Sequence, residues 1–185
     1  MEKNKPFGLG ILVGRFQTLH AGHEMMLDTA LRLCERTAVF IGSSQESGTE
    51  KNPYPFELRK RMLESLYGEA LHIHPLPDIG VGNNGRWGEY VLEQVKAAEG
   101  CLPDLLVSGK EERRVSWFDG INGCRIAELY IPKTIDISAS QLRRALAEDD
   151  REAWEKYVSP KLYPLYEELR EQYLLAMKNT FTKSI

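Results

Sequence analysis

The chain alternates short apolar runs with stretches of helical periodicity, and this alternation constrains its fold more than any other feature. The apolar runs cover residues 8–13, 38–42, 71–76, 104–109 and 125–131. Such short runs are typical of strands in a buried parallel sheet, because both faces of that sheet are covered. The helical stretches cover residues 22–36, 56–67, 89–98, 138–148 and 160–177. The order of these elements predicts an α/β fold, a parallel sheet flanked by helices with a helical C-terminal part.

Length, charge and cysteine content indicate one soluble domain. The 185 residues suffice for one sizeable core, and we expect a single domain over residues 1–178 with a polar tail at 179–185. The formal net charge of −3 provides no basic field for nucleic acid, and no apolar run is long enough to span a membrane. Cys34, Cys101 and Cys124 are widely spaced, which suits a reducing compartment better than a disulfide framework. We therefore expect a cytoplasmic protein that binds neither nucleic acid nor membrane.

The stretch GRFQTLHAGHE lies where the first strand is predicted to turn into the first helix. Gly14 lets the backbone approach a ligand, and a helix that starts near Gly22 offers free N–H groups to an anion. Imidazole donors at His20 and His23 and the fixed cation of Arg15 suit phosphates that gain charge during phosphoryl or nucleotidyl transfer. In the alternative interpretation, one or both histidines are structural. A metal site is disfavoured, because no third ligand stands at a telling spacing.

The stretch ISASQLRRAL predicts a second anion site. Ser138 or Ser140 would cap a helix there, and their hydroxyls would bind phosphate together with free N–H groups and Arg143. A serine cap followed by surface arginines is also common where no ligand binds. The motif gains weight from its pairing with the first site, because two anion-binding helix starts suit a polyphosphate.

The polar loop 43–55 follows the second predicted strand and is long enough to suggest a function. Ser43 and Ser44 offer hydroxyl and backbone donors, and Lys51 and Arg59 are expected to reach phosphate. The alternative is a mobile polar loop that leads into a helix with a solvated charged face.

A second long loop, 77–88, contains the residues that would select a substrate. Trp87 can stack on an aromatic ring while the amides of Asn83 and Asn84 bind its substituents. Alternatively, Trp87 is a core residue at a helix start. Ligands of parallel sheets bind beyond the carboxyl ends of the strands, so both loops and the Ser108–Gly109 pair should meet at one edge.

These motifs carry a resemblance to a known family. GRFQTLHAGH resembles the HxGH motif of the nucleotidyltransferase superfamily, and ISASQLR resembles its second, C-terminal motif. IGSSQES, NPYPFELR, PDI, a tryptophan and VSG lie between them, in the order of nicotinamide-mononucleotide adenylyltransferases of the archaeal type and related bacterial and phage enzymes. The resemblance extends over residues 9–160. It implies a Rossmann-like fold on which nicotinamide mononucleotide and ATP, with Mg²⁺, give NAD and pyrophosphate.

The resemblance also implies roles for individual residues. The catalytic residues in contact with the ATP phosphates would be His20, His23, Arg15 and Arg143. The rest of the ATP site would comprise Gly14, Phe16, Gly22, Ser108, Gly109, Ser138 and Ser140. The mononucleotide site would comprise Ser43, Ser44, Lys51, Arg59, Asp78, Asn83, Asn84 and Trp87. No residue is expected to ligate a metal. The chain departs from the family in having Thr18 where proline is usual, and in a longer segment between Asp78 and Trp87.

Two other functions stay open at this point. One is another adenylyl- or cytidylyltransferase, acting on phosphopantetheine or on a glycerol or sugar phosphate. The other is a noncatalytic nucleotide-binding regulator. Trp87 favours a pyridine substrate, because a pyridine ring can stack on its indole. The presence of all the residues expected to bind phosphate argues against a noncatalytic regulator. Nicotinic acid mononucleotide also stays open, because Arg86 would favour its carboxylate. A homo-oligomer is open as well, since the helical stretch 160–177 either closes the core or packs on a partner.

Overall fold

The computed structural model describes residues 4–80, 84–109, 115–121 and 125–182. Over these ranges the strands are Phe7–Gly14 (β1), Cys34–Gly42 (β2), His72–Leu76 (β3), Leu105–Ser108 (β4) and Ala127–Tyr130 (β5). They pair in parallel in the order β3-β2-β1-β4-β5. The α-helices are Ala21–Leu33 (α1), Phe56–Tyr67 (α2), Asn84–Glu99 (α3), Ala139–Glu148 (α4), Arg151–Glu155 (α5) and Tyr166–Thr182 (α6). The predicted α/β fold, with its helical C-terminal part, is confirmed.

The helices cover both faces of the sheet, because successive residues of a strand point to opposite sides. Leu12 of β1 and Val39 of β2 face a core that they share with buried residues of α1, α2 and α4–α6. The neighbouring Ile11 and Phe40 face a second core, which they share with α3. This two-sided burial explains why the central strands β1, β2 and β4 are apolar over most of their length.

The strand order reverses between β1 and β4. From β1 the chain proceeds outward to β2 and β3, and then returns to place β4 against the other side of β1. The loops after β1 and β4 therefore leave the sheet toward opposite sides, and a crevice opens between them. Gly14 ends β1 and Ser108 ends β4, so both predicted strand ends lie at this crevice.

Several element boundaries differ from the sequence expectation; β2, for example, begins at Cys34 and α6 at Tyr166. Helix α1 ends at Leu33, not at residue 36, because Cys34 already pairs with β1 and its helical spacing is coincidental. Helix α3 begins at Asn84, which places Trp87 on a helix and not in a loop. Helix α6 continues to Thr182, so the described residues of the predicted tail are helical. Thr180 holds it in place by accepting a hydrogen bond from the Glu50 N–H at 3.2 Å.

The helical C-terminal part supports the start of α1. The Ala21 N–H at the first position of α1 donates to the carbonyl of Tyr157 at 2.9 Å. Tyr157 follows helix α5 in the chain. Asp150 caps the start of α5 by accepting a hydrogen bond from the Ala153 N–H at 3.0 Å. Trp154 on α5 is fully buried. None of the helices that the structure describes has the length and apolar character needed to cross a bilayer.

The contact between β1 and β2 leads to a stability prediction. A Cβ atom at Gly10 would lie 2.3 Å from Cys34 Sγ, so Gly10→Ala should lower the free energy of unfolding by about 1–3 kcal/mol through overpacking. Urea denaturation measures this loss. Cys34→Ala removes the sulfur, so the double variant should lose less stability than the sum of the two single variants. Additive losses would contradict the contact as the cause.

Candidate active site

A cavity of about 700 Å³ opens beyond the carboxyl ends of β1 and β4, within the range of about 300–1,000 Å³ typical of small-molecule sites. It lies at the point where the strand order reverses, as ligand sites do in open α/β sheets. The residues that the sequence predicted and the cavity brings together are Gly14, Arg15, Phe16, His20, Gly22, His23, Ser43, Asp78, Trp87, Ser108, Gly109, Ser138, Ser140 and Arg143.

The two histidines form a stacked pair at the start of α1. The His20 carbonyl accepts the N–H groups of His23 at 2.8 Å and Glu24 at 3.1 Å, which begins the helix. The two imidazole centroids are 3.8 Å apart with the planes tilted by 30°. A Cβ atom at Gly22 would lie 3.1 Å from the His20 ring, so the glycine leaves room for this stack. Nδ1 of each histidine is buried without a hydrogen-bond partner among the described residues.

Both histidines are neutral at pH 7 in this structure. Burial lowers the pKa of His20 to about 4, and the positive charge of Lys133 adds to the effect. Burial, followed by the proximity of His20, lowers the pKa of His23 well below its usual value. Each neutral ring offers one N–H donor and one acceptor. An anion bound beside the pair would raise both pKa values, because it stabilises the protonated form.

Two arginines line the cavity from different elements. Arg15 follows β1 and donates from Nη1 to Asn52 Oδ1 at 3.2 Å. Arg143 on α4 donates to the carbonyl of Gln17, and through Nη2 to Ser140 Oγ at 3.2 Å. Its Nε is buried and has no partner in the described part of the chain. A planar guanidinium with donors to spare suits a phosphate oxygen.

The start of α4 lies at the cavity, where the sequence predicted a second anion site. Ser138 is the residue that caps the helix, and its Oγ accepts from the Gln141 N–H at 3.3 Å. Ser138 and Ser140 both line the cavity, together with Lys133. Sequence reasoning missed Lys133, although it precedes the ISAS motif by only a few residues. The Lys133 ammonium also pairs with Asp136 at 2.8 Å.

An aromatic wall closes another side of the cavity. Trp87 lies near the start of α3 and packs against the second core, and it also lines the cavity. Trp87 is therefore packed on the core, as the alternative interpretation has it, and its stacking on a substrate ring stays a prediction. Trp117 stands edge-on to it, with ring centroids 6.0 Å apart, and lines the cavity as well. Sequence reasoning missed Trp117, because it belongs to none of the motifs that indicated a ligand site.

Arg59 does not reach the cavity, contrary to the sequence prediction. It is fully buried, and its guanidinium donates to the carbonyls of Gly42 at 2.8 Å, Ser43 at 3.1 Å and Arg15 at 3.1 Å. Because Gly42 ends β2 and Arg15 follows β1, Arg59 holds two strand ends in place. Periodicity could not reveal this role, since the direction of a long side chain depends on tertiary packing.

Two other predicted residues lie outside the cavity lining, and the side chains of two more are not described. Ser44 and Lys51 do not line the cavity; Lys51 is exposed on the outer side of its loop. Asn84 is described only as the first residue of α3. Asn83 lies outside the described residues. The loop 43–55 still touches the site through Asn52, which orients Arg15 and which sequence reasoning missed.

Residues 11–145 match the family model described as cytidylyltransferase-like. The chain belongs to the cytidylyltransferase-like family. The matched range contains the histidine pair, the aromatic wall and Arg143, so this family assignment covers the cavity as well as the sheet. The resemblance drawn from the two sequence motifs is thereby confirmed.

Similar members of this family share one name. The nicotinamide-nucleotide adenylyltransferase of Aeropyrum pernix is 31% identical over 167 residues, covering 86% of this chain and 90% of that protein. The enzyme of the same name from Thermococcus kodakarensis is 29% identical over 167 residues, covering 87% of this chain and 83% of that protein.

The fold is shared with a solved structure of a larger protein. The bifunctional NMN adenylyltransferase/ADP ribose pyrophosphatase of Francisella tularensis, in complex with AMP and a Mn ion, superposes with a TM-score of 0.76 at 21% identity. The match covers 96% of this chain but 54% of that one, so this chain spans about half of the bifunctional protein.

The depressed histidine pKa values predict how stability depends on pH. His20 has a pKa of about 4 when folded and 6.5 as its ordinary value, so between these values the unfolded chain binds more protons. The free energy of unfolding should therefore fall as the pH drops from 6.5 toward 4. His20→Asn keeps a good helix cap but cannot titrate, so its pH dependence should be shallower. Denaturant titrations between pH 4 and 7.5 measure both curves, and parallel curves would contradict the assignment.

Proposed function

We propose that this chain transfers the AMP moiety of ATP to nicotinamide mononucleotide, giving NAD and pyrophosphate. One observation carries the proposal: a single cavity joins the histidine pair, the start of α4 and the aromatic wall. A polyphosphate fits the first two features, and a flat aromatic ring fits the third. The names of the relatives from Aeropyrum and Thermococcus support the same reaction.

The two helix starts suit the triphosphate of ATP. His20 and His23 lie at the start of α1, while Ser138, Ser140 and Lys133 surround the start of α4. Helix N-termini favour anions through unpaired N–H groups and the helix dipole. The unpartnered Nδ1 atoms of the histidines and Nε of Arg143 are buried donors or acceptors that a ligand would satisfy.

The chemistry needs positioning and charge stabilisation more than proton transfer. An oxygen of the mononucleotide phosphate would attack the α-phosphorus of ATP in line. The bond from that phosphorus to the bridging oxygen would break, and its electrons would leave with pyrophosphate. A phosphate monoester is largely ionised near pH 7, so it needs no general base. The histidines and the guanidinium of Arg143 would hold the charge that grows on the phosphate oxygens.

Magnesium fits this site as part of the ATP substrate. Among the described residues that line the cavity, Asp78 is the one carboxylate. A protein cage for Mg²⁺ would need more oxygen ligands than this, whereas the ion commonly enters on phosphates and keeps several waters. We therefore propose MgATP as the substrate, with no resident metal in the cavity.

The lining of the cavity favours nicotinamide over nicotinic acid mononucleotide. Asp78 lines the same cavity as Trp87, and its negative charge would repel a pyridine carboxylate but accept an amide N–H. Arg86, which would have favoured the acid, is exposed and does not line the cavity. The free thiols of Cys34 and Cys101 and the use of ATP fit a cytoplasmic enzyme.

The proposed reaction is tested by supplying ATP with one acceptor at a time and measuring pyrophosphate and the adenylylated product. Nicotinamide mononucleotide should be the best acceptor, and His23→Ala should lower kcat by about 10²- to 10³-fold through loss of charge stabilisation. Lys60→Ala, on the outer face of α2, is the matched control and should keep its activity. Product from phosphopantetheine or glycerol phosphate, with none from either pyridine mononucleotide, would refute the proposal. Nucleotide binding without any product would favour a regulator.

The choice between the two pyridine mononucleotides is tested at Asp78. Asp78→Asn removes one negative charge and keeps the size of the side chain. We expect it to raise kcat/KM for nicotinic acid mononucleotide, relative to nicotinamide mononucleotide, by roughly fivefold to tenfold, as for a like charge in a partly hydrated site. Steady-state kinetics with both acceptors give the ratio, and an unchanged ratio would show that Asp78 does not read the ring substituent.

A further inference from the structure

A second group of chemically active side chains lies outside the active-site cavity, between β3 and the end of α3. His72 and His74 alternate on β3 and so share one face of the strand, and Glu99 ends α3 beside them. One ligand atom from each residue lies within 4.8 Å of the others. None of the three lines the active-site cavity.

We propose that His72, His74 and Glu99 form a binding site for Zn²⁺, separate from the nucleotidyl-transfer site. Two imidazole nitrogens and one carboxylate oxygen are the ligand set of many zinc sites that keep one position open. Mg²⁺ and Ca²⁺ prefer all-oxygen sites, so this set selects a borderline ion such as Zn²⁺.

The geometry of Glu99 supports a shared cation between the three side chains. His72 Nδ1 and His74 Nε2 lie 3.0 and 2.7 Å from the same oxygen, Glu99 Oε1. Two imidazoles thus converge on one carboxylate oxygen whose side chain is only 2% exposed. Tetrahedral Zn²⁺ with bonds of about 2.0–2.2 Å separates its ligand atoms by about 3.3–3.6 Å. The two nitrogen–oxygen contacts would therefore lengthen by about 0.3–0.9 Å to hold the ion in place of the shared protons. The two nitrogens, which lie within 4.8 Å of each other, would adjust to the same spacing.

Arg36 supports this site and does not compete for it. Its Nη1 donates at 2.9 Å to Glu99 Oε2, the oxygen that His74 does not contact, while His72 Nδ1 lies 3.0 Å from both carboxylate oxygens. Carboxylates that ligate a metal through one oxygen are commonly hydrogen-bonded at the other, which fixes their orientation. The His72 side chain is 44% exposed, so an ion can enter from solvent and a water can complete the coordination.

The bound ion would fasten β3 to the end of α3. β3 is an edge strand that pairs with β2 alone within the described sheet. Asp78 lies in the chain between β3 and α3. The ion would join these same two elements. Zinc should consequently stabilise the folded chain, because it binds the native arrangement and not the unfolded one.

Co²⁺ absorption provides the test, because tetrahedral Co²⁺ has visible d–d bands and occupies zinc sites. The chain has four histidines in two pairs, so each pair can be removed in turn. We expect the bands in the wild-type protein without ATP and in His20→Gln, and their loss in the double variant His72→Gln/His74→Gln. Zn²⁺ should displace the Co²⁺. Circular dichroism confirms that each variant is folded.

Thermal unfolding gives an independent measure that needs no variant. A hundredfold excess of Zn²⁺ over its Kd should raise Tm of the wild-type protein by about 5–10 °C, and a chelator should reverse the rise. Three outcomes would overturn the proposal: no Co²⁺ bands in the wild-type protein, bands that survive in the double variant, or bands that are lost in His20→Gln. A Tm unchanged by saturating Zn²⁺ would overturn it as well.

Discussion

The parallel pairing of β1 with both β2 and β4 is the arrangement on which the rest of the structure depends. It makes β1 the central strand, and it places the strand-order reversal, and hence the crevice, at its carboxyl end. The residues that line the active-site cavity surround this end of β1, where Gly14 lies. Arg59 secures this arrangement, because its side chain is fully buried and its guanidinium donates to three carbonyls at the ends of β1 and β2. Burial, together with the nearby Arg15, lowers the pKa of Arg59 only to about 10, so it remains a cation at pH 7.

Sequence periodicity predicted the sheet and most helices because alternating burial on two faces leaves an unmistakable apolar pattern. Periodicity gave wrong boundaries where a helical spacing continues into a strand and where residues typical of loops begin a helix. The helical spacing of α1 continues through Cys34, but pairing with β1 takes that residue into β2. The glycines and asparagines before Trp87 indicated a loop, yet α3 begins among them. Local propensity was overridden in each case by tertiary contacts that no window of sequence contains.

The candidate site was predictable to the extent that its residues sit at strand ends and helix starts. His20, His23, Ser138 and Arg143 follow from motif and position, since the backbone there determines where they lie. Arg59 and Lys51 did not, because long side chains reach different places from one backbone position. Gln17 lies within the opening motif, but its role could not be predicted from that motif. Its side-chain amide donates to the carbonyl of Tyr54 and accepts from the N–H of Tyr54.

The electrostatics of the cavity explain how a site proposed for a highly charged ligand can be built from neutral histidines. Lys133, Arg15 and Arg143 already line the cavity with positive charge. Two protonated imidazoles with centroids 3.8 Å apart would repel each other and these cations. Burial therefore holds both imidazoles neutral until an anion arrives. In the proposed reaction the triphosphate would supply the countercharge, and the rings would strengthen their hydrogen bonds as charge moves onto the leaving group. Protonation of the two histidines is unfavourable in this buried, positively charged surrounding. It would become favourable beside a bound anion, because the negative charge of the anion stabilises the imidazolium form.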